Sequence, residues 1–335
     1  MKRIQVLDIF RGLAALGVML FHYSKYFREF THSTQPYFTY GFTGVIFFFM
    51  ISGFVIFLTV KQSHSSTNFL LRRFSRLYPT FWFCLLISSI FVRVFGLPGR
   101  EVTWRDSLFN ITMIPKCLGA KEVDGVYWSL LYEFFFYVFM AFIIQIKKVN
   151  QLFVWILPWL LLCFIRMYFN IHILSGPLTY ILNYGCYFIA VIMFYQLKFV
   201  NRKDYRYHLI IIATLGISWL AVKTPTEAVL NCIFYGIFYL FTYDLLDNLK
   251  TKALVFLGQI SFPLYLVHQD IGYIILNYFH RINPSISIFI LLVPIAISII
   301  VASLIHLYVE VPATKWFRKF LDVATIKYKI PKEAS

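Results

Sequence analysis

Charge is what this sequence has least of. Only 14% of its 335 residues are Asp, Glu, Lys or Arg, and 31 bases outnumber 15 acids. Soluble domains carry about a quarter charged residues, so an ordinary water-soluble globule is excluded. Polar linkers, low-complexity tracts and internal repeats are missing too, which excludes a separate soluble domain. Cysteine is sparse: Cys84, Cys117, Cys163, Cys186 and Cys232 are scattered, without a CxxC pair or a Cys/His metal spacing. They read as small apolar residues, with only Cys117 in a loop. The first apolar run lacks a small-x-small cleavage site and carries its own charges, so it is expected to be retained rather than removed as a signal peptide.

What is there is apolar. The chain is 60% hydrophobic and 20% aromatic, with a mean hydropathy of +0.71. The expected class is all-α: a polytopic membrane protein with about ten transmembrane helices. At about 20 mostly apolar residues per span, the candidates are 9–27, 41–60, 77–95, 128–146, 152–170, 179–197, 208–222, 228–246, 254–278 and 286–308. The seventh is short, and Pro263 is expected to bend the ninth or delay its start. Basic residues concentrate in alternate loops, among them Lys61, Arg72, Arg73, Arg76, Lys147, Lys148, Arg202 and Arg206, which places both termini in the cytoplasm. The net charge of +16 thus reflects topology, and no nucleic-acid partner is expected. Residues 1–320 form one transmembrane domain and 321–335 a basic cytoplasmic tail. The long connection 96–127 lies outside, with an interfacial helix from Trp104 to Ile114. Asn110 heads an Asn-Ile-Thr glycosylation pattern of little weight.

The first span carries Asp8, Arg11 and His22. Positions 11 and 22 fall on nearly one helical face, roughly 16 Å apart along the axis. Ionisable groups inside a span are costly and normally face a protein interior or a wet cavity. Two readings fit His22: a hydrogen bond between helices, or a general base. Removal from water favours the neutral imidazole, which can accept a proton from a hydroxyl. Arg11 either snorkels to lipid phosphate or shares the interior with His22. In the second span Gly44, Ser52 and Gly53 allow close helix approach, and Gly53 equally leaves room for a ligand. No Ser-His-acid arrangement supports Ser52 as a nucleophile.

The inner loop Leu71–Pro79 presents Arg72, Arg73 and Arg76. Three planar guanidinium groups suit phosphate, whether of anionic lipid or of a phosphorylated cytoplasmic ligand. Ser129, Glu133 and Tyr137 share one face of the fourth span, and a carboxylate among aromatics calls for a partner. Glu133 at a depth comparable to His22 makes an acid–histidine pair feasible. Ser261, Tyr265 and His268 form one polar stripe in the ninth span, fit either for interhelical hydrogen bonds or for substrate. His306 and Glu310, one turn apart, pair with each other or with arginines.

Taken together these segments resemble the acyltransferase-3 family of integral-membrane O-acyltransferases. The matching pieces are Leu7-Asp8 with Arg11-Gly12-Leu13-Ala14-Ala15 and His22, Phe48 to Phe54, Arg72-Arg73 with Arg76-Leu77-Tyr78-Pro79, Trp128-Ser129-Leu130 with Glu133, and Ser261-Phe262 with Tyr265-Leu266 and His268. Phe262 departs from the aromatic hydroxyl often found there. The resemblance implies ten helices and transfer of an acyl group, usually acetyl from cytoplasmic acetyl-CoA, to a carbohydrate hydroxyl outside. It is nearest to stand-alone members that modify lipopolysaccharide O-antigen or other surface polysaccharide at the bacterial inner membrane.

On that resemblance the catalytic residues are His22 and Glu133. Arg11, Arg72, Arg73 and Arg76 bind acyl-CoA, and Ser52, Tyr265 and His268 contact the acceptor or the reacting carbonyl. No metal and no bound cofactor is required; acetyl-CoA is the donor substrate. The rival is a transporter or flippase of a lipid-linked glycan, which would show repeated halves with broken helices in corresponding positions. A purely structural membrane scaffold leaves Arg11, His22 and Glu133 buried without a reason.

Overall fold

The computed structural model describes residues 4–32, 37–63, 65–170, 177–283, 287–317 and 319. The expected basic tail lies outside them. The described chain runs α1 (Gln5–Thr31), α2 (Gly44–Lys61), α3 (Ser66–Phe95), α4 (Trp104–Asn110), α5 (Trp128–Gln145), α6 (Leu152–Tyr168), α7 (Pro177–Asn183), α8 (Gly185–Phe199), α9 (Tyr205–Trp219), α10 (Pro225–Thr242), α11 (Lys252–Ile282) and α12 (Leu292–Ile305), with no strand among the described residues. Five helical stretches are long and apolar enough to cross a membrane, and α6 and α8 are shorter apolar helices. The protein is an all-α polytopic membrane protein, and each expected span is met by helix.

Four boundaries differ from expectation, each for a local reason. The helix α3 starts at Ser66, not near 77, because Ser65 caps it by accepting from the Asn68 amide. Hydropathy excludes arginine from a span, but not from a helix, so Arg72, Arg73 and Arg76 lie on α3 rather than in a loop. The sixth span is broken at Tyr184, between α7 and α8. The helix α11 passes through Pro263 unbroken, begins before it, and extends to Ile282. The interfacial helix ends at Asn110, not Ile114.

That short helix α4 opens with a reciprocal cap between Thr103 and Asp106. The Arg93 guanidinium sits 3.7 Å from the Trp104 ring centre and ties it to the end of α3. Asn110 is fully buried, donating to the Asp106 and Lys121 carbonyls and accepting from the Val123 amide. Its role is to fold the outer loop, not to carry a sugar.

Inside the bundle α11 is buried from Ile260 to Ile274, and α8 from Gly185 to Leu197. The helices α1 and α11 run parallel and touch at backbone distance. A Cβ on Gly12 would stand 2.7 Å from the Gly258 nitrogen, and one on Gly258 would collide with the Asp8 carbonyl. Farther along the same seam, a Cβ on Gly272 would collide with the Tyr23 ring. Gly53, expected to permit close approach, does so against Phe188 and Val191 of α8.

Gly258→Ala is therefore expected to destabilise the bundle by about 1–3 kcal/mol through overpacking. Thermal melting of the detergent-purified protein measures it as a lowered midpoint. Gly216→Ala, whose Cβ meets nothing within 4 Å, is the control and should leave the midpoint unchanged or higher.

Candidate active site

The seam between α1 and α11 delivers His22 to a ring of polar side chains. Its Nδ1 lies 3.2 Å from the Tyr273 hydroxyl and 3.0 Å from the Gln269 amide nitrogen. Gln269 also donates to the Tyr273 hydroxyl at 3.2 Å. In the tautomer whose Nδ1–H donates to Tyr273, the Nε2 lone pair is open to take a proton. The Gln269 Oε1 is buried without a partner, and turning that amide over would let it accept the same Nδ1–H.

His268 stands beside His22, ring centres 5.3 Å apart. Its Nδ1 lies 3.1 and 2.9 Å from the Leu264 and Tyr265 carbonyls, so Nδ1 carries the hydrogen. The Nε2 is left as a buried acceptor with no hydrogen-bond partner. A neutral His268 in this tautomer accepts a hydrogen bond and does not polarise a carbonyl. Tyr23 fixes the turn from outside, donating to the His268 carbonyl at 2.7 Å while sharing a 2.7 Å hydrogen bond with Ser298 of α12.

The other expected contacts are placed differently. The Tyr265 hydroxyl is taken up by Ser129 at 2.8 Å and the Val126 carbonyl at 3.2 Å, so it joins α11 to the start of α5. Ser52 is buried on α2 next to the Gly53 contact and is not among the groups touching His22.

Glu133 does not meet His22. Its carboxylate takes a very short hydrogen bond from Tyr137 and acts on the charges of Arg11 and Arg73. Ser129 already sits at the level of Tyr265, and Glu133 is one turn, about 6 Å, farther along α5. That turn moves it from the histidines to the arginines.

The arginines themselves divide. Successive helical residues point about 100° apart, so Arg72 is exposed and Arg73 is buried. Arg73 donates to the Val55 carbonyl at 2.9 Å and to Thr59, pinning α3 to α2, with its guanidinium 5.7 Å from the Tyr137 ring centre. Arg76 is half-buried and shares a field with Arg11, Glu133 and Glu310. Glu310 accepts from His306 at 2.8 Å on a π-helical turn that extends α12, as the spacing anticipated. The bundle thus holds two polar centres: histidines near the α1–α2 connection, and arginines balanced by Asp8, Glu133 and Glu310 toward the other end.

Residues 4–306 match the family described as Acyltransferase domain, acyltransferase 3. The chain belongs to it. It is 24% identical to the acyltransferase MdmB of Streptomyces mycarofaciens, over 86% of this chain and 84% of that protein. It is 22% identical to the O-acetyltransferase OatA of Staphylococcus aureus, over 92% of this chain but 57% of OatA, so it spans little more than half of that relative. No solved structure matches.

Sequence reasoning about this acyltransferase missed the shell that holds His22. Gln269 and Tyr273 follow Tyr265 at i+4 and i+8, and Asp270 is a carboxylate in an apolar helix; those were the available signals. Arg100 and Asp124 come from the outer loop, and no spacing announces them. Arg100 donates to Asp270 at 2.8 Å, and its guanidinium lies 5.0 Å from the Tyr273 ring centre. Asp124 accepts from the Val126 amide at 3.1 Å and from the Asp270 amide at 3.3 Å. Burial, and then the neighbouring Asp270 carboxylate, push Asp124 well above the ordinary carboxylate range. The loop is thereby clamped onto α11 next to the histidines.

Removing the cation strands a carboxylate that is only 1% exposed, although Arg100 is itself a third exposed. Arg100→Met is expected to cost about 1–3 kcal/mol, less than a fully buried pair. Asp270→Asn in the same chain should recover part of it, and thermal midpoints of the double-mutant cycle measure the coupling.

Proposed function

We propose that this acyltransferase moves an acetyl group from cytoplasmic acetyl-CoA to a hydroxyl of an extracytoplasmic surface glycan, such as lipopolysaccharide O-antigen, at the bacterial inner membrane. The observation that carries the reading is His22, held through Nδ1 by Tyr273 and Gln269, with Nε2 available and a second histidine beside it. The name of OatA, an O-acetyltransferase, favours acetyl over longer chains.

In this mechanism the anionic end of CoA binds Arg11 and Arg76, with Arg72 on the same face of α3 at the mouth. Arg73, engaged by Val55 and Thr59, holds α3 on α2, and Glu133 offsets the charge of Arg11, neither touching substrate. The acyl arm extends along α1 toward His22, roughly 16 Å from Arg11 along the helix. The His22 Nε2 accepts the proton of the sugar hydroxyl as its oxygen attacks the thioester carbonyl. The tetrahedral adduct collapses with cleavage of the carbon–sulfur bond, and the departing thiolate takes the proton from the imidazolium. The acetyl ester and free CoA are the products.

His22→Ala is expected to lower acetyl transfer from radiolabelled acetyl-CoA by ~10²–10⁴-fold, the usual contribution of a general base, with the protein still in the membrane. Wild-type turnover in that variant would refute the mechanism, and glycan movement without label would favour a transporter.

Arg76→Ala should raise the acetyl-CoA KM by ~10–100-fold, as expected for losing a charge-assisted hydrogen bond of about 1.5–3 kcal/mol. The acceptor KM should stay put. Initial-rate kinetics with each substrate varied in turn separates the two.

A further inference from the structure

A cavity of ≈ 690 Å³ opens at the same end of the bundle as the histidines, between α2, α6, the α7–α8 break, α9 and α10. It lies within the range of small-molecule sites, roughly 300–1,000 Å³. Its lining mixes apolar side chains such as Ile46, Met167 and Leu220 with polar ones, among them Arg166, Asn183, Tyr187, Lys223, Glu227 and Asn231. Several are held in place by one another. Arg166 Nε donates to Asn183 Oδ1 at 2.7 Å, Asn183 donates toward the Tyr132 hydroxyl at 3.4 Å, and Tyr187 donates to Asn231 at 3.4 Å.

Two features separate this cavity from a gap between helices. The sixth span breaks at Tyr184, which lines the cavity. Irregular backbone within a membrane bundle is tolerated where it is buried in protein or lines a cavity. The cavity also adjoins the site: Phe42, in its wall, packs on Phe21 with ring centres 5.7 Å apart, and Phe21 packs on His22 at 5.1 Å. It is formed from the end of α6, the start of α10 and the start of α2, the same end of the bundle at which α1 presents His22.

We propose that this cavity is the acceptor subsite, taking a sugar residue of the glycan whose hydroxyl is acetylated; the inference rests on the acyltransferase mechanism above. Amide, hydroxyl and guanidinium groups with tyrosine rings suit a ring that carries hydroxyls on its rim and C–H groups on its faces. An acyl chain would require a uniformly apolar lining. The phosphates of CoA would be drawn to the arginines at the opposite end. From the cavity a sugar hydroxyl reaches His22 around the Phe21–Phe42 edge, while the thioester arrives from below.

The test uses full-length protein in detergent, radiolabelled acetyl-CoA and, as acceptor, the total surface-glycan fraction extracted from membranes of the producing cells. Ala221, in the cavity wall, is replaced by Trp to fill the space, and Val229, exposed on α10 and outside the lining, is replaced by Trp as the control. Asn183→Ala removes a polar group without filling. Ala221→Trp and Asn183→Ala should each raise the acceptor KM at least ~10-fold with the acetyl-CoA KM unchanged, and Val229→Trp should match wild type. An unchanged acceptor KM in Ala221→Trp, or a shift in the donor KM instead, overturns the subsite alone. A wild-type protein that transfers no acetyl overturns the acyltransferase mechanism itself.

Discussion

Two helices that touch backbone to backbone set the geometry of everything polar in this bundle. In lipid there is no hydrophobic force to bring helices together, so close packing and interhelical hydrogen bonds take its place. Gly12 and Gly258 supply the close packing at one end of the α1–α11 seam, and Tyr23, wedged at Gly272 and bonded to the His268 carbonyl, supplies the polar lock at the other. His22 precedes Tyr23 by one residue, so fixing Tyr23 leaves the imidazole no choice but the face that carries His268, Gln269 and Tyr273. The site is thus a consequence of helix contact rather than of any motif in a loop.

Around that seam the charged groups find partners. Arg73 donates to Val55 and Thr59, Glu133 accepts from Tyr137, Glu310 from His306 and Asp270 from Arg100. An unsatisfied buried polar atom costs about 1–3 kcal/mol, so atoms left without a partner stand out. His268 Nε2 and Arg11 Nε are two of them. One adjoins the proposed base and the other lies in the arginine centre.

Hydropathy made the helices legible because a span must be long and apolar whatever its neighbours do. It failed where helix and span are different things: Arg72 to Arg76 extend α3 beyond its apolar stretch, and Tyr184 interrupts an otherwise apolar run. The single-helix faces were readable as well, since Ser261, Tyr265 and His268 do share a stripe. Partners across helices were not. Glu133 was matched to His22 on depth alone, yet one turn of α5 separates the two levels, and depth within a span is uncertain by about that much. Arg100 and Asp124 reach α11 through a loop of some thirty residues, and no periodicity encodes where such a loop lands.

The separation of the two polar centres bears on why one bundle can join a donor inside to an acceptor outside. Moving the phosphates of CoA through a low-dielectric interior would cost many kcal/mol unless each charge stayed paired. Arg11 and Arg76 lie toward one end with Asp8, Glu133 and Glu310 balancing them. On the proposed mechanism the phosphates stay at that end, and only an uncharged arm and a thioester enter the span leading to His22. At the far end the proposed acceptor cavity carries Arg166, Lys223 and Glu227 among its amides and hydroxyls, while the sugar hydroxyl proposed to reach the histidine is itself uncharged. In the proposed reaction charge develops on the imidazole, on the oxygen of the tetrahedral adduct and on the departing thiolate, beside Tyr273, Gln269 and the outer loop that Arg100 clamps. The permanent charges of the interior already have company, Arg11 near Asp8 and Glu133, Arg73 on Val55 and Thr59, and Asp270 on Arg100, and those added by the proposed reaction are transient and formed in place.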